Sequence, residues 1–145
     1  MYSEVVIIIR KSVLFILILC ILALSGCQNG IEYINANKVS EILLIYHALN
    51  PEKLEAPFET RTLTDKASIK IVAAAMNKSK KMNGELDYGI EFNMKVIYKN
   101  GKAEDYYLTL RKDKGYRGLL VSPEHSSQGY SIPVKYSDKL RELLY

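Results

Sequence analysis

The sequence predicts an α+β domain: a mostly antiparallel sheet of about five or six strands with two helices, in the order β-β-α-β-β-β-β-α. Three observations point to it. Short β-prone runs alternate apolar and polar residues through the second half of the chain. Asn100-Gly101 and Lys114-Gly115 punctuate them at hairpin spacing. Outside the first 26 residues, two stretches show the i, i+3, i+4 apolar spacing of a helix.

In chain order, Val39 to His47 holds the run Ile42-Leu43-Leu44-Ile45-Tyr46, short and rich in β-formers, and reads as a buried strand. Asn50-Pro51 is a turn signal, and Pro57 ends the following loop. Phe58 to Leu63 alternates and gives a second strand. Thr64 or Asp65 then caps a helix whose Ile69, Val72, Ala73 and Met76 form one apolar stripe. Lys78, Lys80 and Lys81 are expected at its C-terminal end, complementing the helix dipole, with Asn83-Gly84 as the stop.

Ile90, Phe92, Met94, Val96 and Tyr98 alternate with Glu91, Asn93, Lys95 and Lys99, the pattern of a half-buried strand. Tyr106, Leu108 and Leu110 mark the inward face of the next. Matching the two faces requires a three-residue loop, Lys99-Asn100-Gly101, closed by Tyr98 and Lys102. That sets Met94 opposite Tyr106 and Phe92 opposite Leu108, with Gly101 left-handed as a G1 bulge. Asp113-Lys114-Gly115, closed by Lys112 and Tyr116, sets Leu108 opposite Leu120. Tyr116 to Ser122 is a strand, Pro123 to Gly129 a polar loop, and Tyr130 to Val134 a last short strand with Pro133 at an edge or end. Ser137 caps a closing helix with Leu140, Leu143 and Leu144 inward.

The first residues are an address rather than a part of this fold. Arg10 and Lys11 precede an apolar run from Val13 to Leu24, then come Ser25, Gly26 and Cys27. A positive pair, a short apolar run and a small-residue cleavage site make a secretory signal peptide. The run is well short of the roughly 20 residues that span a bilayer. Extending it back through Val5 to Ile9 would bury Arg10 and Lys11 in lipid. Apolar Met1 to Ile9 is out of place ahead of that pair and points to translation starting further in. Leu24-Ser25-Gly26-Cys27 resembles the lipobox of bacterial lipoproteins. The resemblance implies a thioether from Cys27 to a diacylglyceryl group with palmitate-like chains, and cleavage between Gly26 and Cys27. The chain then divides into a signal peptide (1–26), a lipidated N-terminus and tether (27–38) and a single domain (39–145).

Losing Glu4, Arg10 and Lys11 with the signal lowers the formal charge from +4 to +3. That mild excess permits weak attraction to anionic lipid or wall polymer and does not argue for nucleic acid, which export also disfavours. Of two Cys, Cys20 leaves with the signal and Cys27 carries lipid, so the mature domain has no disulfide and no Cys-based metal site. There are eleven Tyr and no Trp, and the abundance of Ile, Lys and Asn suggests an AT-rich, Gram-positive source.

Beyond the lipobox, Leu63-Thr64-Asp65-Lys66 opens a helix and Tyr98-Lys99-Asn100-Gly101-Lys102 forms a hairpin. His125-Ser126-Ser127-Gln128-Gly129-Tyr130-Ser131-Ile132 precedes Lys139-Leu140. Together these resemble the small YhfM-like lipoproteins of Bacillus and relatives. The resemblance covers most of the mature chain and implies fold and location; it brings no activity with it.

Catalytic signals are sparse. His125 sits beside Glu124 among Ser122, Ser126 and Ser127, but a serine nucleophile needs a base and an orienting group, and no G-x-S-x-G elbow is present. His47 and His125 do not supply the three or four spaced ligands of a zinc site. Arg111, Lys112, Lys114 and Arg117 near Tyr107 and Tyr116 suggest an anion or glycan surface, set against the plainer reading of a solvated face; Lys66 and Lys70 likewise. The expectation is therefore a lipid-anchored, extracytoplasmic, non-enzymatic binding module without cofactor or metal. It would be held to the cell membrane through Cys27 and would bind an envelope protein or wall component. The competing expectation is an envelope hydrolase or metal-dependent enzyme built on the His125 loop.

Overall fold

The computed structural model describes residues 31–47, 56–84 and 86–145. The apolar leader, Gly26, Cys27 and the Asn50-Pro51 turn lie outside the described residues. The elements are β1 (Val39–Tyr46), β2 (Thr60–Leu63), α1 (Lys66–Asn77), β3 (Lys80–Lys81), β4 (Phe92–Tyr98), β5 (Ala103–Thr109), β6 (Gly118–Val121), a 3-10 turn (Pro123–His125), β7 (Gly129–Ile132) and α2 (Val134–Leu144). The strands form one antiparallel sheet in the order β2-β1-β4-β5-β6-β7-β3. Both helices pack on one face of it and against each other. The fold class is thus α+β as expected, with seven strands. No helix among the described residues is long and apolar enough to cross a membrane.

Period-2 alternation builds the inner face. Ile42 and Leu44 of β1, Phe92, Met94 and Val96 of β4, Leu108 of β5, Leu120 of β6 and Ile132 of β7 are all buried. The α1 stripe Ile69, Val72, Ala73 and Met76 closes over them, with Leu140 and Leu144 of α2. Phe92 sits at the centre of an aromatic group, its ring 5.3 Å from Tyr46, 5.8 Å from Phe58 and 6.1 Å from Tyr145. Asp65 caps α1, its carboxylate accepting from Ser68 N–H at 2.8 Å.

The hairpin register follows the buried face as expected. Phe92 pairs with Leu108 and Met94 with Tyr106, and the three-residue loop is closed by Tyr98 N–H to Lys102 C=O at 2.8 Å. Gly101 lies at φ +86°. Leu108 pairs with Leu120, although that ladder runs only from Tyr107 to Thr109.

Three expectations are corrected. Lys80 and Lys81 do not decorate the end of α1. The helix ends at Asn77, and this pair forms β3, which bonds to β7 opposite Ser131 and Tyr130. A two-residue, lysine-bearing strand blunts a sheet edge. Ser137 is not the cap of α2, which begins three residues earlier behind Pro133 at φ −60°, preset for a helix start. The buried Ser137 hydroxyl instead accepts from Gly118 N–H at 2.7 Å and donates to Ile132 C=O at 3.1 Å, tying α2 to β6 and β7. Third, the packed unit starts before residue 39. Ile34 is 1% exposed, and its N–H and C=O are both bonded by the Asn77 side-chain amide, at 2.8 and 2.9 Å. The stretch read as a tether is therefore fixed to the domain from Ile34 onward.

The segment around Leu86–Gly89 crosses the outer face above β5, β6 and β7. Gly89 C=O accepts from the Thr109 hydroxyl at 2.6 Å. Leu86 lies so close to Gly129 that a Cβ there would stand 2.7 Å from its side chain, which is why this position takes glycine. Val121, on the outer side of β6 and paired with Gly129, is buried. Among the described residues no such segment covers the outer face over β1 and β4.

Gly101→Val should lower thermal stability by about 1–2 kcal/mol or more. A Cβ at Gly101 would meet nothing within 4 Å, so the whole cost is the left-handed backbone. An unchanged melting temperature would contradict this account.

Candidate functional site

One concavity arises where the sheet parts. Strand β5 pairs with β4 through Ala103–Leu108 but with β6 only from Tyr107 on. Pro123 has no N–H to extend the ladder, and the chain turns away into the 3-10 turn. The unpaired edge of β5 from Ala103 to Tyr106 therefore lines a cavity of about 440 Å³, faced by Ser122–His125 and by Ile31 and Glu32.

Glu104 is its chemical centre. On the inner side of β5, half-buried, its carboxylate accepts from Tyr98 Oη and Tyr106 Oη, both at 2.8 Å, and pairs with Lys102 Nζ at 2.7 Å. Lys102 also reaches Glu32 at 3.2 Å. Burial pushes the Glu104 carboxyl up, but the bonds from Lys102, Tyr106 and Tyr98 outweigh it, and the group lies below its ordinary value. Burial first, and then the bond to this carboxylate, hold the Tyr98 and Tyr106 phenols well above theirs. Glu104 is therefore ionised and both phenols are protonated at neutral pH. The carboxylate's bonds are met within this cluster, so the open bonding capacity of the cavity is the β5 edge from Ala103 to Tyr106. Glu104 is not poised for proton transfer, which calls for a group titrating near the working pH.

A second groove of about 400 Å³ adjoins it on the outer face and shares Asp105, Tyr106 and Pro123. Leu43 and Ile45 of β1 and Tyr107 of β5 supply apolar surface, and Lys95 and Asp105 pair across it at 3.5 Å. Ile45 is 38% exposed, high for an isoleucine in the middle of a sheet. Asn93 contributes an amide whose Nδ2 bonds His47 Nε2 at 2.7 Å, while its shielded Oδ1 has no partner among the described residues.

His125 lies on the rim of the first cavity, with Ser122 and Glu124. Its backbone organises the turn, N–H to Ser122 C=O and C=O from Gln128 N–H, while among the described residues no hydrogen bond joins its ring to a serine hydroxyl. Ser126 and Ser127 are exposed, away from the cavity lining. Among the described residues no three His, Cys, Asp or Glu are grouped as a metal would require. The basic hairpin tip is divided: Arg111 and Arg117 line a more open hollow of about 610 Å³ with Tyr116, while Lys114 pairs with Glu142 at 2.7 Å. Tyr107 faces the outer groove instead. Lys66 and Lys70 are exposed on α1, remote from all three. Cys27 and Gly26 lie outside the described residues. Sequence reasoning missed Glu104, because a charged residue in an alternating strand reads as solvent-facing, and its donors were counted only as apolar positions.

The raised phenols fix an alkaline response. A tyrosine is neutral when protonated, and the folded state holds these protons more tightly. Their stabilisation is complete below the unfolded tyrosine value of about 10 and is lost as pH rises above it toward the higher folded values. Absorbance at 295 nm should show the Tyr98 and Tyr106 phenolates emerging only with unfolding. In Glu104→Gln they should titrate earlier. Ionisation of every tyrosine near pH 10 with the fold intact would refute the cluster.

The YhfM protein family matches residues 37–145, about three quarters of the chain, a span running from β1 through α2. No curated protein and no solved structure matches it. The match takes in the Tyr98–Lys102 hairpin, the cavity at the β5 edge and the outer groove, and by it the chain belongs to the YhfM protein family.

Proposed function

We propose that this protein is a membrane-anchored extracytoplasmic lipoprotein whose domain is a non-enzymatic binding module for an envelope protein or wall component. The observation that carries the binding role is the groove on the outer face of β1, β4 and β5, where Leu43, Ile45 and Tyr107 give apolar surface next to the Glu104 cavity. Apolar surface beside fixed polar groups is what a recognition site requires. The anchor rests on Leu24-Ser25-Gly26-Cys27. A diacylglyceryl group carries two acyl chains, and two chains hold stably where one is marginal. The hydrolase or metal-enzyme reading rests on His125 at the cavity rim. Among the described residues no nucleophile is bonded to that ring, and the Glu104 carboxylate of the same cavity is bonded to Tyr98, Tyr106 and Lys102.

Three measurements bear on this reading. Wild type should stay in the membrane fraction at high salt and show acyl mass on a chain beginning at Cys27, and Cys27→Ser should show no acyl mass. Release of wild type by salt, or a bare Cys27, removes the anchor. Crosslinking at the intact cell surface should capture a partner that Ile45→Asp loses at least tenfold, at unchanged melting temperature. Capture undiminished by Ile45→Asp would move the binding site off this groove, and a loss of hydrolytic activity in His125→Ala would instead favour the enzyme.

A further inference from the structure

We propose that the end of the domain bearing the β4–β5 hairpin rests on the lipid headgroup surface, with Tyr33 as its interfacial contact. The inference rests on the lipid anchor at Cys27 and adds an orientation to it. Three residues, Gln28 to Gly30, separate Cys27 from Ile31. Covalent geometry limits the four Cα steps from Cys27 to Ile31 to about 14 Å. Ile34 is clamped by Asn77 and buried, so there is no slack beyond it. The anchored end of the chain therefore cannot leave the surface by more than a short leash. It emerges beside the hairpin: Lys102 reaches Glu32, and Lys99 N–H bonds Lys38 C=O at 2.9 Å.

A second observation agrees. Tyr33, 77% exposed, is the most exposed of the large hydrophobic side chains among the described residues, and it lies on this leash. Tyrosine favours the membrane–water interface, where its ring is apolar and its hydroxyl stays wet. Exposed Lys38 and Lys99 flank the same end and suit lipid phosphates. Acidic Glu32 and Glu124 share it, so the leash and Tyr33, rather than net charge, set the orientation. The opposite end, at Lys112, is carried away by the length of β5, about 20 Å.

The test uses the mature lipidated protein in phosphatidylcholine vesicles containing phosphatidylglycerol. With Cys27 acylated and Cys20 removed with the signal, a single introduced Cys is the one free thiol. A fluorophore on Asn100→Cys should be quenched by a headgroup-linked quencher several-fold more strongly than one on Lys112→Cys. Inserting about 20 Gly-Ser residues between Gly30 and Ile31 should shrink that difference; a difference unchanged by the insertion overturns the leash as its cause. Equal quenching at both sites in acylated, vesicle-bound protein overturns the orientation while the anchor stands. Absence of acyl mass and of vesicle binding overturns both.

Discussion

The fold depends on how the chain is held at Leu110 and Arg111. The β5–β6 ladder stops at Thr109, yet Leu110 is fully buried, so its backbone groups need partners that no strand provides. Two buried charges supply them. Glu91, 3% exposed, accepts from the N–H groups of Leu110 and Arg111 at 2.6 and 2.9 Å through one oxygen, and its other oxygen accepts from the Tyr145 hydroxyl. Arg141, 2% exposed, donates to the carbonyls of the same two residues and to Asp138 at 2.6 Å. A carboxylate takes the donors and a guanidinium takes the acceptors. Neither charge is left bare, a condition for burying either. The clamp also holds Arg111 at φ +55°, a left-handed turn that few non-glycine residues adopt. It joins the approach to β4, the end of β5 and helix α2 at one point.

With that end fixed, β5 is pinned to β4 along its length while its other edge is free to part from β6. The parting needs little: Pro123 ends the ladder, and the 3-10 turn swings outward. The resulting cavity would be a fault in an apolar sheet. Here Glu104 occupies it and is satisfied by two phenols and an ammonium, so desolvation is offset by three charge-assisted bonds. As at the clamp, a carboxylate satisfies groups that would otherwise be left unmatched.

Much of the fold was legible because it follows local rules. Phe92, Met94 and Val96 alternate, the face match selected the three-residue loop, and the observed register is the one that match requires. Ile69, Val72, Ala73 and Met76 gave α1 by period alone. What was not legible depends on distant partners. Glu91 looked like another outward residue of an alternating strand, but the strand begins one residue later and its partners lie 19, 20 and 54 positions away. Arg141 sits beside inward Leu140 and carries no local sign of burial. Lys80-Lys81 is too short to announce a strand, and Ser137 has cap chemistry but spends it on Gly118, across the fold. The candidate site was the least legible part, since the cavity comes from where two strands cease to pair, and neither strand alone says where that is.

The two ends of the molecule are consequently unlike in kind. At the Glu91–Arg141 end, polar groups are consumed internally: carboxylate, guanidinium and backbone satisfy one another and offer solvent little. At the Glu104 end the polar groups face a cavity, and the adjoining outer groove sets apolar Leu43 and Ile45 beside Asn93, Lys95 and Asp105. The Leu86–Gly89 segment enlarges the contrast by lying over the outer face of β5, β6 and β7, whereas no described segment does so over β1 and β4. Recognition needs a surface whose bonding capacity is open and whose shape is held by something else. In this fold the clamp and the covering segment give the rigidity, and the parted edge of β5 gives the open capacity. The proposed binding role therefore places its surface at the Glu104 cavity and the Leu43–Ile45–Tyr107 groove; at the basic turn, Lys114 is already paired with Glu142.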